Sequence, residues 1–401
     1  MSEYVITINS TSDLPKEWVW ERKIPVVPLN CTIGGNTYRD MYDLSADEFY
    51  GMLRAGEMAV TSQPSPQAAI DMLEPILKEG KDILHLSFSS GLSGTYNSMC
   101  IAAEELQEKY PEQMQIESLG TTADGREILE AVLGDVNAEH HILVQATMHA
   151  REYMNTVLAM NQIEDYLRYS EERSYNETRW SELYKKVCFH VIPMVNPDGV
   201  TISQEGADGI SDEALKSQLE ECYQRAVDSG STYSDRMQYF SVWKANARGV
   251  DLNRNFDAGW EEYTGAADPA SECYKGTSPA SEAESQAVLR VTQDYDLDCC
   301  IAYHSFGNLI YWNYGSQGEI MEADQQLASL VSGVTGYEMH STVQDSTDAA
   351  GCSDYFVLKL GIPAVTIENG GSQCPMPIEE YQPMYQRNQN LWPALAEMYG
   401  K

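Results

Sequence analysis

HILVQATMHARE, residues 141–152, is the stretch on which the fold reading turns. HILVQATM is a short and almost continuous apolar run. Such a run suits a strand buried on both faces of a sheet, not one that alternates between core and water. It stops at His149, Arg151 and Glu152. Three other runs have the same form. KVCFHVIPMV (186–195) leads into Asn196-Pro197-Asp198-Gly199, CCIAYHS (299–305) ends on His304-Ser305, and PAVTIEN (363–369) ends on Glu368-Asn369. In open α/β sheets the carboxyl ends of the strands form the ligand crevice, so these polar ends are expected to share one site.

Helical stretches separate the runs: NTVLAMNQIEDYLRY (155–169), SEAESQAVLRVTQDY (281–295) and EADQQLASLVSGV (322–334). QIESLGTT (115–122) and ILEAVLGD (128–135) read as a hairpin around Gly125. Residues 204–240 are polar and read as a surface excursion. The first 110 residues are organised differently. YVITIN (4–9), KIPVVPLNCTI (23–33) and DILHLSFS (82–89) are extended. SADEFYGMLRAG (45–56), SPQAAIDMLEPILKEG (65–80) and SMCIAAEELQEKYPE (98–112) are helical, the first opening on a Ser N-cap. Alternating strands and helices predict a parallel α/β layer there.

Composition limits the function classes. Lys and Arg number 26 against 61 Asp and Glu, a formal charge of −35, which argues against nucleic acid and anionic membrane surfaces as partners. No apolar run is long enough for a membrane span. The opening MSEYVITINSTSDLP lacks a secretory pattern, so a cytoplasmic location is expected. Nine cysteines without zinc-type spacing read as reduced thiols packed as small hydrophobes.

The strand ends carry the chemistry. His149 and Glu152 are three apart, a spacing that puts both on one side of a turn. His304 from another strand is the third candidate ligand. Two imidazoles and one carboxylate leave an open position, the pattern of a catalytic zinc site. Zinc would lower the pKa of water to roughly 7 and polarise a carbonyl, and Glu368 is the candidate base.

WKANARGVDLNRNF (243–256) adds the remaining pieces. HARE, NPDGV, GVDLNRNF, the later HS and TIE occur in the order of the zinc carboxypeptidase family of the carboxypeptidase A type, which residues 100–401 resemble. YKGTSPASEAES (274–285) and PMPIEEYQPMYQRNQNLWPALAE (375–397) are similar to its bacterial γ-D-glutamyl-diaminopimelate peptidase branch. The resemblance implies a mixed sheet flanked by helices and one zinc ion per chain. It implies His149, Glu152 and His304 as ligands and Asp251 as the carboxylate that orients the first histidine. Glu368 matches the base. Asn253 and Arg254 match the pair that holds the substrate's terminal carboxylate, and Arg151 a further substrate contact. Lys244 stands where typical members carry an oxyanion-stabilising arginine. The family's mobile tyrosine has no counterpart in STVQDSTDAAGC (341–352), and Tyr337 is a poor substitute. Ser353 sits where members set preference for the released residue, and a serine there argues against a lysine or arginine carboxypeptidase.

The segment from VITINSTSDLP to SFSSGLSGTYNS (87–98) resembles the first half of the DegV family, which binds fatty acids. That resemblance implies Thr61 and Ser93 as contacts for a fatty-acid carboxylate, with Ser62 beside them. The expected organisation is therefore a truncated DegV-like parallel α/β lobe, 1–110, and a zinc carboxypeptidase domain, 111–401, with the helix 95–110 shared. The expected activity is zinc-dependent removal of a C-terminal residue, with the γ-D-glutamyl-diaminopimelate bond of muropeptides as substrate. Rival readings are a fatty-acid carrier and an inactive peptide-binding homologue.

Overall fold

The computed structural model describes residues 4–87, 116–342 and 350–401, apart from 13, 15, 231, 232, 234 and 372. The chain forms two compact units, Met1–Gln115 and Ile116–Lys401.

In the smaller unit β1 (Tyr4–Asn9) lies between β2 (Val26–Val27) and β6 (Asp82–Leu86), all parallel. Adjacent strand residues face opposite ways. Val27 accordingly packs with Ala69, Leu73 and Leu77, and Val26 with Ile8 and Val19. The extended stretch 23–33 is not one strand. Pro28, which lacks an N–H for a ladder, closes β2, and β3 (Asn30–Ile33) pairs antiparallel with β4 (Asn36–Arg39) and β5 (Val60–Ser62). The parallel layer expected over the first 110 residues thus holds for three of the six strands among the described residues. The helix Ala46–Arg54 opens with a capping box: Ser45 Oγ accepts from the Glu48 N–H, and the Glu48 carboxylate accepts from the Ser45 N–H. The helix Pro66–Lys78 is capped by Ser65 with proline in its first turn. The helix expected over 98–112 lies outside the described residues.

The larger unit is built on an eight-stranded mixed sheet. Its strands are β7 (Ile116–Thr121), β8 (Glu127–Leu133), β9 (His140–Ala146), β12 (Val187–Ile192), β13 (Leu297–His304), β14 (Leu309–Trp312), β15 (Glu338–Ser341) and β16 (Ala364–Glu368). A two-stranded hairpin of β10 (Ser174–Tyr175) and β11 (Thr178–Arg179) stands apart. The spatial order is β15-β14-β16-β13-β9-β12-β8-β7. The central four, β12, β9, β13 and β16, run parallel, while β8, β7 and β14 are antiparallel additions. These four are the apolar runs of the sequence, and they are covered on both faces. Ile142, Val144, Phe189 and Ile301 point to one side, where the helices Met154–Tyr169 and Leu391–Tyr399 pack. Leu143, Ile192 and Cys300 point to the other, against Val288 and Val291 of the helix Ala283–Asp294.

Residues 204–240 are more ordered than their polarity suggests. They include the helix Glu213–Asp228, capped by Asp212, which buries only Leu219 and Cys222. These two join Tyr239, Phe240 and Trp243 in a third apolar cluster. The eight described cysteines are free. No helix among the described residues is long and apolar enough to cross a membrane.

Phe189 is fully buried and stacks on Trp392 with ring centroids 5.2 Å apart. Phe189→Ala is expected to lower the unfolding free energy by about 3–5 kcal/mol. Ile378→Ala, at a residue 66% exposed, should change it by less than about 0.5 kcal/mol. Chemical denaturation of both variants checks the difference.

Candidate active site

The carboxyl ends of β9, β13 and β16 meet at one level. The β13–β16 register sets His304 directly against Glu368, and the β13–β9 register sets Tyr303 against Ala146. Beyond Ala146 the chain turns sharply at Thr147, whose φ of 57° lies in the left-handed region that a β-branched residue resists. The turn is held by its own hydroxyl, which donates to the Glu152 carbonyl at 3.3 Å and lies 2.8 Å from Thr156 Oγ1. It delivers His149 and the short turn Ala150–Glu152 to the front of His304.

There the side chains converge. Nδ1 of His149 and Nδ1 of His304 face each other at 3.1 Å. Glu152 Oε1 is 2.9 Å from the first and Oε2 3.0 Å from the second. Behind His149, Asp251 Oδ1 lies 3.1 Å from Nε2. That carboxylate draws the ring proton to Nε2 and leaves the Nδ1 lone pair directed at the centre, a tautomer assigned from the network. The Ser305 N–H donates to Glu152 Oε2 at 3.1 Å. The donor set fits zinc: two nitrogens and a carboxylate share one focus, and His304 Nε2 is buried without a hydrogen-bond partner among the described residues.

All four groups are nearly out of water, with 3% exposure or less. Burial alone would raise the carboxyls of Glu152 and Asp251, but the imidazoles outweigh it and hold both well below the usual range. Burial lowers His149, and the Lys244 ammonium adds to that. Glu368 behaves oppositely: burial pushes its carboxyl up to about 7, a value suited to passing a proton near neutrality. His304, Lys244 and Arg151 pull it back down, so all three act on Glu368 through their charge.

The main chain of Lys244 runs beside the first histidine's turn, its carbonyl accepting from the Ala150 N–H at 3.0 Å. Arg151 Nη1 donates to the Val242 carbonyl at 3.1 Å. Asn253 and Arg254 occupy the turn Leu252–Arg254, whose cap is Asp251 itself. Arg254 donates to the Asn253 carbonyl at 2.7 Å and lies over the Tyr263 ring, 5.4 Å from its centroid. The Asn253 side-chain oxygen accepts from the Cys352 N–H at 2.8 Å. This places the carboxylate-binding candidates against the loop that carries Ser353. Ser353 Oγ in turn lies 2.9 Å from Thr366 Oγ1, which also accepts from Tyr314 OH at 3.1 Å.

The other residues singled out from sequence lie elsewhere. Tyr337 is 1% exposed and donates to Asn369 Oδ1 at 3.2 Å, so it is a core residue and not a mobile phenol. Thr61 is exposed in β5, opposite Cys31, with Ser62 opposite Asn30. Ser93 lies outside the described residues.

Two contributors were not legible in the sequence. Ser305 acts through its backbone N–H. Asn246 is fully buried; its side-chain oxygen accepts from the Arg248 and Val250 N–H groups at 3.0 Å, and its amide donates to Glu282 at 2.8 Å. It shapes the approach to Asp251. The sequence shows only an asparagine between two alanines, in KANAR (244–248), and nothing there marks it as buried.

A model of the zinc carboxypeptidase family matches residues 99–390, and a model of the DegV family of uncharacterised proteins matches residues 3–125. Gamma-D-glutamyl-L-diamino acid endopeptidase 1 of Lysinibacillus sphaericus is 30% identical over 309 residues, 76% of this chain and 72% of that protein. A DegV domain-containing protein of Clostridium perfringens is 45% identical over 114 residues, 28% of this chain and 39% of that protein. The fold is similar to that of carboxypeptidase A from Helicoverpa armigera, with a TM-score of 0.56 at 15% identity, over 88% of this chain and 86% of that one.

Two outcomes test the site. Asp251→Asn should weaken zinc binding by about 10–100-fold in a competitive chelator titration. The second concerns Glu284, which accepts from Asn246 at 3.3 Å while its Oε1 has no hydrogen-bond partner among the described residues. Burial pushes its carboxyl from 4.5 to about 8. The folded chain then holds a proton that the unfolded chain releases, so stability falls as pH rises across that interval. Glu284→Gln should remove this decline. Parallel stability–pH curves for the two proteins would contradict it.

Proposed function

The chain belongs to the zinc carboxypeptidase family, and on that premise we propose that it cleaves the γ-D-glutamyl-diaminopimelate bond of muropeptides. One observation carries the reading. His149, Glu152 and His304 converge with Asp251 behind them and Glu368 beside them, in a chain 30% identical to a γ-D-glutamyl-L-diamino acid endopeptidase.

His149, Glu152 and His304 would hold the zinc ion, which when bound would supply a Lewis acid that lowers the pKa of water to about 7 and polarises a carbonyl. Glu368 takes the proton from the attacking water and returns it to the departing amine. Lys244 offers a point charge to the developing oxyanion, without the fork an arginine would bring. Arg254 and the Asn253 amide bind the carboxylate of the released residue, and Arg151 contacts the substrate beside them. The hydroxyls of Ser353, Thr366 and Tyr314 are polar and uncharged. They suit the zwitterionic head of diaminopimelate better than an apolar or a cationic side chain.

The N-terminal unit reads as an accessory. It corresponds to 39% of the Clostridium perfringens relative, and a partial pocket would leave an acyl chain in water at about 0.8 kcal/mol per CH₂. The competing reading, a fatty acid held by Thr61 and Ser93, requires acyl chains in a solvent extract of the purified protein.

The test is mass spectrometry of L-Ala-γ-D-Glu-diaminopimelate and of an ordinary peptide after incubation with the enzyme. Release of diaminopimelate alone, abolished by a zinc chelator, is the expected result. Trimming of the ordinary peptide instead would make it a general carboxypeptidase. Glu368→Gln should lower kcat by about 10²–10⁴-fold with zinc content unchanged. Arg254→Ala should act mainly on KM, and only for substrates with a free carboxylate.

A further inference from the structure

We propose that His141, Cys188 and His190 form a second transition-metal site, at the amino end of the sheet. The inference does not rest on the peptidase reading. β9 and β12 are parallel, and their register sets His141 directly opposite Cys188. His190 follows two residues later on the same face. One donor atom from each of the three lies within 4.8 Å of the others, and all three residues are buried. From His141 to Ala146 is five residues, roughly 17 Å of strand at about 3.3 Å per residue. His149 lies beyond that, so the cluster is separate from the catalytic centre.

The hydrogen-bond arrangement resembles the one behind His149. Glu130 Oε1 is 2.7 Å from His190 Nδ1 and draws that ring's proton outward. His190 Nε2 is then a lone pair, and it faces His141 Nδ1 at 3.0 Å. That lone pair calls for a hydrogen or a positive species between the two rings. A shared proton is one such species. A metal ion is the other, and only it gives a role to the Cys188 sulfur beside the pair. Tyr295 limits how far the rings can rotate, its centroid 4.0 Å from that of His190 and 5.2 Å from that of His141. Bonds of about 2.0–2.3 Å in a tetrahedron put ligand atoms roughly 3.3–3.8 Å apart, so a small opening of the pair accommodates the ion. Two imidazoles and a thiolate form a borderline-soft set, suited to zinc, cobalt or copper and not to magnesium or calcium. Such an ion would tie the starts of β9 and β12 together.

Cobalt alone is a suitable probe, because the catalytic ligands contain no sulfur. The full chain, stripped with chelator and titrated with Co²⁺, should take up two equivalents. A sulfur-to-cobalt charge-transfer band should appear in the near ultraviolet. His304→Ala should keep the band and lose one equivalent. Cys188→Ser should lose the band while the catalytic equivalent and peptidase activity persist, and Cys374→Ser should leave the band in place. A single equivalent with no band in the unaltered chain would mean a shared proton only and would overturn the proposal. So would a band that survives Cys188→Ser.

Discussion

The hydrogen-bonded register between β13 and β16 sets the geometry on which the catalytic end depends. Pairing His304 with Glu368 brings a candidate ligand and a candidate base to the same level from strands far apart in sequence. The neighbouring pair Tyr303–Ala146 then fixes where β9 ends and where the Thr147 turn must throw His149. A slip of one residue in either ladder would point these side chains to the wrong face. The two-sided core enforces the register, because Ile142 and Leu143 belong to opposite apolar clusters and cannot exchange faces.

The charge of the site runs against that of the molecule. The chain carries a formal −35, yet Lys244 and Arg254 act on the buried carboxylate of Asp251, and Lys244 and Arg151 on that of Glu368. Buried charge is tolerated only when paired. Imidazoles answer Glu152 and Asp251, while Glu368 is answered incompletely and rises toward neutrality.

The four central strands were legible in the sequence because burial on both faces produces continuous apolar runs, and the ends of those runs marked the site. For that reason His149, Glu152, His304 and Glu368 stand out in the sequence alone. Asp251, Asn253, Arg254 and Lys244 sit on irregular backbone, and only the family motif drew attention to them. The helix Glu213–Asp228 was missed because two buried residues on an otherwise polar helix give little periodic signal. The break in 23–33 is marked by its prolines, Pro25 and Pro28. Asn246 and Ser305 escaped for a different reason. Their contribution is a hydrogen bond made across the fold, and residue type alone does not announce one.

Under the proposed function the Asn253 side chain has two tasks at once. Its oxygen receives the Cys352 N–H, while its amide nitrogen belongs to the pair assigned to the substrate's carboxylate. The grip on the chain terminus and the shape of the selectivity loop therefore share one planar group, and a rotation that improves one spoils the other. On that function, changes of preference fall to side chains such as Ser353, buried in the short helix Cys352–Tyr355 and held to Thr366, while the Asn253 anchor at Cys352 stays constant. Diversification by side-chain exchange then leaves the Asn253 anchor intact, whereas remodelling the segment after Gly351 disturbs it.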